Sequence, residues 1–269
     1  MSDLAAPLEP ALLPDAAHAE LTAAFSVLEG TSFAARLAAL AGTPVEALRA
    51  ALPKFVQSRL DGAVRGALTT AMSVALRSGP ASTPLPIGQS WFHRGLAVAS
   101  GVAGGAFGLP GTLMELPIST TLLLRQIAAE AAGQGEDLDA PGAAAECLQV
   151  FALGGRAPSD DAAESGYFAV RLGLAQTLKG AIGVNLVPGF VGAIAARFGG
   201  PIALKLGAQA APVLGAAAGA AVNLAFLEHF RGIARAHFTL RRLERDHGEA
   251  LVRQAYEAVA ATRDARFVG

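Results

Sequence analysis

Cysteine, aromatic residues and charges are all scarce in this chain of 269 residues. Cys147 is the only cysteine, which excludes an internal disulfide and favours a reducing compartment. Charged residues make up 16% of the chain, against about 25% in an ordinary soluble protein. Aromatic residues are only 6%, while hydrophobic residues reach 52%, much of it alanine. The composition is therefore that of an unusually apolar chain.

Motifs of known catalytic and metal sites are also missing. The sequence contains no GxSxG, HExxH, CxxC or P-loop pattern. The stretch DLDAPG at 137–142 begins like a calcium loop, but Leu148 stands at the twelfth position, where a bidentate glutamate is required. The five histidines are dispersed along the chain. We therefore predict no cofactor and no metal.

The N-terminus has no basic region, since its first positive side chain is Arg36. It resembles neither a secretory signal nor a mitochondrial presequence, so we expect a cytoplasmic protein, peripheral on the inner face of the cytoplasmic membrane. The net charge is −1 and no basic run is interleaved with aromatic residues. This balance argues against a nucleic-acid partner.

The charges are strongly segregated along the chain. Residues 1–35 carry five acids and no base, and residues 36–114 carry seven bases against two acids. Residues 115–164 then carry nine acids against two arginines, and residues 165–227 carry four cations and no acid. Segregation of this kind predicts opposed surface patches.

Helix signals dominate, because alanine and leucine are frequent and alternation with period two is nearly absent. We predict an all-α fold, a single multi-helix bundle with an apolar helical hairpin rich in glycine and alanine. Its predicted parts are a partly helical acidic segment at 1–29, a helical domain at 30–250, and a C-terminal helix and tail at 251–269.

Several helix ends are predicted from local signals. Helices are expected over 54–77, from near Pro212 to His247, and over 249–265. The stretch RFGGPIA at 197–203 places two glycines before a proline, a pattern typical of one helix stopping and another starting.

Three runs carry no charge: 95–114, 180–196 and 206–227. Each is long enough to approach the thickness of a bilayer, but glycine, proline and polar residues make them marginal spans. Three interpretations stay open. The runs could pack inside a soluble bundle, form a transmembrane hairpin, or be buried in solution and presented to a bilayer.

Small residues recur at every fourth position in the last of these runs. Glycine inside a helix costs about 1 kcal/mol relative to alanine, so a ridge of small residues calls for close packing or lipid contact. The predicted contact residues of this ridge are Gly207, Ala211, Gly215 and Gly219, and Asn223 continues the spacing.

The stretch 231–245 carries five arginines and one acid, next to phenylalanine and leucine. A basic amphipathic helix can lie on an anionic membrane, and it can equally be an ordinary surface helix whose other face packs inward. We predict that Arg231, Arg235, Arg241 and Arg242 contact a membrane or lipid.

Four polar residues within apolar surroundings are candidates for buried polar groups: Glu115, Arg125, Asn185 and Asn223. A buried ion must be paired, and Glu115 with Arg125 could form such a pair. The alternative is that each residue marks a helix end at the surface.

The sequence resembles the EcsC protein family over about residues 30–250. The resemblance is carried by LPGTLMELPISTTLLLRQIAAEAAGQGEDLDAPGAAAECLQVFALGG at 109–155, by SGYFAVRLGLA at 165–175, and by VPGFVGAIAA with LGAAAGAAVNLAFLEHFRGIARAHFTLRRLERDHG up to 248. Positions matching the family's pattern are Pro117, Arg125, Gly135, Tyr167, Arg171, Pro188, Gly189, Asn223 and Leu243.

This resemblance implies a bacterial helical protein without assigned catalytic residues. The founding member is encoded beside an ABC exporter, which implies work linked to a membrane. Because the present chain has no ATP site, it would be neither the ATPase nor the pore of such a transporter.

Three functions are consistent with the sequence. The first is a non-enzymatic protein associated with a membrane or lipid, with a membrane protein as a possible partner and a role accessory to transport or secretion. The second is a soluble carrier of an apolar, acyl-chain ligand. The third is a hydrolase using Glu115, His93 or Glu228. The oligomeric state stays open.

Overall fold

The computed structural model describes most of the chain. The described residues are 12–42 except 31, 54–78, 116–155 except 141, 166–178, 188–210 and 216–268, with the isolated positions 44, 47 and 50. Within these ranges the chain forms helices and no strand, which confirms the predicted all-α bundle.

The helices of the described residues are named in chain order. They are α1 (Asp15–Leu28), α2 (Phe33–Ala41), α3 (Lys54–Ser78), α4 (116–133), α5 (Ala143–Leu153), α6 (Tyr167–Leu178), α7 (Pro188–Ala210), α8 (Ala216–His247) and α9 (Glu249–Val268). The predicted helix after Pro53 is confirmed as α3, and the predicted boundary between the last two helices falls at Gly248, whose φ is 91°.

Helix α8 is the central element of the bundle. It packs against α1, α2, α5, α7 and α9, while α7 also packs against α2, α3, α5 and α6. Helix α8 buries Phe226, Phe230, Ile233 and Phe238, and Phe230 makes ring contacts with Phe151 of α5 and with other phenylalanines. Four phenylalanines thus pack together where α5, α7 and α8 meet: Phe151, Phe198, Phe226 and Phe230.

Helix α1 belongs to the same core, although it lies within the predicted acidic segment. It buries Leu21 and Phe25 against α8 and α9, and Phe25 packs edge-on against Tyr256 of α9 at 4.9 Å between ring centroids. The Glu29 carboxylate then accepts hydrogen bonds from the Tyr167 backbone N–H at 3.0 Å and from the Tyr256 hydroxyl at 2.9 Å. One acid therefore joins the end of α1 to α6 and α9.

The predicted break at 197–203 is wrong. Helix α7 continues through Gly199, Gly200 and Pro201 to Ala210. Proline cannot donate to the carbonyl four residues earlier, here that of Arg197, which costs helix stability. Packing of α7 against α3, α5 and α8 compensates for this local loss. Phe198 precedes the proline and Ile202 follows it, and both are buried. Tertiary contacts therefore hold the helix together at this point.

The predicted ridge of small residues does not lie on one helix. Gly207 belongs to α7, which ends at Ala210, whereas Gly219 belongs to α8, which begins at Ala216. The two helices pack against each other. Ala211 and Gly215 lie outside the described residues, as does the charge-free run 95–114.

Among the helices of the described residues, none combines the length and the apolar character that crossing a bilayer requires.

Candidate functional site

The predicted arginines of α8 are paired with acids from α4 and the loop that follows it. The Nε atoms of Arg231 and Arg235 lie 2.7 Å and 3.1 Å from the carboxylate of Glu130. The Nε atom of Arg241 lies 2.7 Å from Glu136 Oε1, and Arg245 also binds Glu136. These contacts form the charged seam between residues 130–136 and α8.

Arg242 extends the charged seam to α1. Its Nε donates to Gln134 Oε1 at 3.0 Å, and its guanidinium binds Glu20. The acid-rich and arginine-rich stretches of the sequence are therefore complementary within the fold. Lipid contact by Arg231, Arg235, Arg241 and Arg242 stays a prediction.

Two of the four predicted buried polar residues lie within the described part of the chain. Asn223 is buried on α8, and Arg125 is half-buried on α4. Glu115 and Asn185 lie outside the described residues, so the proposed pairing of Glu115 with Arg125 stays a prediction.

A buried chain of polar groups lies beside the charged seam. The Tyr167 hydroxyl is 2.8 Å from His237 Nδ1, and His237 Nε2 is 3.6 Å from Glu146 Oε2. Because a carboxylate only accepts, we assign the imidazole proton to Nε2, facing Glu146. His237 Nδ1 then accepts a hydrogen bond from the Tyr167 hydroxyl.

Burial sets the protonation states of Tyr167, His237 and Glu146. It lowers the pKa of His237 to about 4, so the ring is neutral at pH 7, and it raises the pKa of the Tyr167 hydroxyl. Burial also works to raise the pKa of Glu146, but His237 and Arg241 outweigh it and hold the pKa below its usual value. Tyr167 is thus a protonated donor, and this set of groups contains no activated nucleophile.

Arg171 supports the polar chain from α6. Its Nη1 donates to Glu244 Oε1 at 2.6 Å, and its guanidinium lies over the Tyr167 ring at 5.3 Å from the centroid. Sequence reasoning did not find the Tyr167–His237–Glu146 chain. The signal in the sequence was weak, since Glu146 is the only acid of α5 but Gln149 is polar as well.

An open groove of about 2070 Å³ adjoins this polar chain. It is lined by side chains from α1, α2, α5, α6, α8 and α9, and it is called the aromatic groove below. Its apolar lining includes Phe25, Phe33, Tyr167, Phe168, Leu172 and Tyr256. Drug-sized ligands occupy pockets of about 300–1,000 Å³, so the groove has room for a long ligand.

Helix α5 contributes a polar row to the aromatic groove. Glu146 and Gln149 line it one helical turn apart, and Leu153 follows one turn later. His229 of α8 donates from Nε2 to the carbonyl of Gly154, the residue that follows α5, at 2.9 Å. Burial lowers the pKa of His229 to about 4, which keeps this ring neutral as well.

Across the parts of the chain that the structure describes, no three or more His, Cys, Asp and Glu side chains are placed to hold a metal ion. Cys147 is buried in α5, and burial raises the pKa of its thiol to about 12, which makes it unreactive.

The fold and the groove define a helical bundle with an open, aromatic-lined cavity. Comparison with known protein families matches residues 88–243, more than half of the chain, to the EcsC protein family. The chain therefore belongs to the EcsC protein family, as the sequence motifs indicated. Neither the search of curated proteins nor that of solved structures found a match.

Proposed function

We propose that this protein is a non-enzymatic lipid-associated protein that takes an acyl chain into the aromatic groove. The observation that carries the proposal is the groove itself, which is large, open and lined by side chains such as Phe33, Phe168 and Leu172. Burial of an acyl chain contributes about 0.8 kcal/mol per methylene group, so about ten buried methylenes exceed the lower estimates of the cost of association.

The exposure of Leu172 and Val27 supports an apolar occupant. Both side chains line the aromatic groove, and they are 56% and 44% exposed. Aliphatic groups that border a concave surface gain free energy when an apolar ligand covers them. Single exposed aliphatic residues are ordinary, but here two of them border the same groove.

The state of the polar chain supports a binding role over catalysis. Tyr167 keeps its proton, and its hydroxyl is committed to His237. A hydrolase using these groups would need the hydroxyl deprotonated or presented to a substrate, and Tyr167 is only 3% exposed.

We also propose that the protein is peripheral on the inner face of the cytoplasmic membrane. A protein that holds an acyl chain has to exchange it with a bilayer, and the charge-free runs provide segments suited to apolar contact. The pairing of the α8 arginines with acids indicates that such contact depends less on headgroup attraction than the sequence suggested.

Leu172→Asp provides a direct test. The protein is incubated with vesicles of anionic and zwitterionic lipid that contain a fluorescent fatty acid, and the vesicles are then floated away. Wild-type protein should either carry the fatty acid in the lipid-free fraction or float with the vesicles. Leu172→Asp should lower the amount of fatty acid bound per protein about tenfold or more, because an acyl chain in the groove would desolvate the new carboxylate.

Ile118→Asp is the matched control. Ile118 is 61% exposed on α4 and does not line the aromatic groove, so its substitution should leave uptake unchanged. Surface substitutions of this kind change stability by about 0.5 kcal/mol or less. Wild-type protein that neither carries fatty acid nor floats, even with anionic lipid, would contradict the proposal.

A further inference from the structure

The polar row of the aromatic groove offers hydrogen-bond acceptors from Glu146 and Gln149. Gln149 is 3% exposed, and its Oε1 has no hydrogen-bond partner within the described part of the chain. A buried amide oxygen without a donor costs free energy, so native structures seldom keep one without a use. Gln149 also lines the aromatic groove, so a donor group of a ligand becomes the partner of Oε1 when the side chain turns toward the groove.

Glu146 adds a second acceptor one turn away. Its Oε2 is turned toward His237 and toward Arg241, whose Nη1 lies 3.2 Å from it. The side chain keeps 24% of its surface exposed, and Glu146 lines the groove. The two residues are about 4.5 Å apart along the axis of α5, so one ligand in the groove can contact both side chains.

His229 of α8, which contacts the residue after the end of α5, supplies a third acceptor. The Gly154 carbonyl only accepts, so the proton of the neutral ring is on Nε2 and a lone pair remains on Nδ1. The cations nearby are already engaged, since Arg171 binds Glu244 and Arg241 binds Glu136. Apart from the amide nitrogen of Gln149, donor groups for these acceptors therefore have to come from the ligand.

Charge balance decides which donor fits. Arg241 faces Glu146 at 3.2 Å, so a cationic headgroup would bring an excess charge into a partly buried site. An anionic headgroup would meet the Glu146 carboxylate. A neutral headgroup with hydroxyl groups can donate to the acceptors without either cost.

We propose that Glu146, Gln149 and His229 form a subsite for the hydroxyl groups of a neutral amphiphile, of which a monoacylglycerol is the simplest example. This inference rests on the proposed function, since the acyl chain of the same ligand would occupy the aromatic groove. It goes further because it names the headgroup chemistry and the residues that recognise it.

Equilibrium binding of four probes with the same acyl chain tests the inference. They are 1-monooleoylglycerol, methyl oleate, oleate and oleylamine. Wild-type protein should bind 1-monooleoylglycerol about tenfold or more tightly than methyl oleate, because only the former donates hydrogen bonds. Gln149→Leu should keep the affinity for methyl oleate and lower that preference to about twofold or less.

Gln126→Leu is the control for loss of a buried glutamine. Gln126 lies on α4, donates from Nε2 to Glu130 Oε1 at 3.3 Å, and does not line the groove, so its loss should leave the preference intact. Gln149→Met, which is unbranched and adaptable, replaces Gln149→Leu if the latter fails to fold.

The outcomes separate the two proposals. Binding of methyl oleate without a preference for 1-monooleoylglycerol, a preference for oleate or oleylamine, or an unchanged preference in the Gln149 variants would overturn the subsite alone. Binding of none of the four probes would overturn the lipid-binding function and the subsite together.

Discussion

Gly155 and Arg197 meet where the end of α5 docks against α7. A Cβ atom on Gly155 would lie 2.3 Å from the Arg197 carbonyl oxygen and 2.7 Å from its carbonyl carbon. This is the carbonyl that Pro201 cannot bond within the helix. The absence of a side chain at Gly155 therefore lets α5 approach the irregular point of α7.

Gly155→Ala should lower the free energy of unfolding by about 1–3 kcal/mol, because the methyl group meets backbone that cannot move without displacing α7. Chemical denaturation followed by circular dichroism measures this change. Gly199→Ala is the control, since a Cβ there meets no atom within 4 Å and alanine is the better helix former. A Gly155→Ala variant as stable as Gly199→Ala would show that α5 shifts freely.

At the scale of elements, the charged seam determines how α4 and its loop sit on α8. Arg241 and Glu136 are 23% and 10% exposed, so water screens their attraction only partly. Burial works to raise the pKa of Glu136, but Arg241 and Arg245 hold it below its usual value. The carboxylate therefore stays ionised and paired at neutral pH.

A double-mutant cycle of Arg241→Ala and Glu136→Ala should give a coupling free energy of about 1–2 kcal/mol, because the pair is hydrogen-bonded and mostly shielded from solvent. The exposed pair Arg253–Glu257, at 58% and 62% exposure, is the reference. A double-mutant cycle of this i,i+4 pair should give a coupling free energy of about 0.3–0.5 kcal/mol. Equal coupling in both cycles would mean that the charged seam contributes no more than a surface pair.

At the scale of the whole molecule, two buried neutral histidines link stability to pH. His229 and His237 both have a pKa of about 4 in the folded state, against about 6.5 in an unfolded chain. Between these values the unfolded state binds more protons than the folded state. Falling pH therefore favours unfolding over this window.

The free energy of unfolding should fall between pH 6.5 and about 4, by up to about 1.4 kcal/mol per pH unit for each histidine. Above pH 6.5 these two residues should contribute no slope. Denaturant titrations at several pH values measure the effect, and His229→Gln should remove about half of the histidine contribution. A wild-type stability that is flat from pH 7 to 5 would contradict the assigned burial of both rings.

Much of the fold could be predicted from local sequence because helix signals act over short distances. The start of α3 after Pro53 and the boundary at Gly248 depend on residues within one or two turns. The continuity of α7 through Pro201 could not be predicted in this way, since contacts with α3, α5 and α8 outweigh the local signal.

The candidate site was found from the sequence only in part. The arginines of α8 were recognised as an unusual set, but their partners lie about a hundred residues earlier, and nothing local identifies such partners. Tyr167 and Arg171 appeared among the positions that match the family, without a role. Glu146 and Gln149 were not singled out, because a carboxylate and an amide within an alanine-rich helix have no distinctive spacing.

The sequence by itself determined the helical class, the family and the separation of acidic from basic stretches, because composition and short-range patterns are sufficient for these. Only the tertiary structure decided that Glu130 and Glu136 face the α8 arginines and that Glu146 and Gln149 line a groove. The physical reason is that packing several helices brings together side chains far apart in the chain. Their burial and charge exist only in that arrangement.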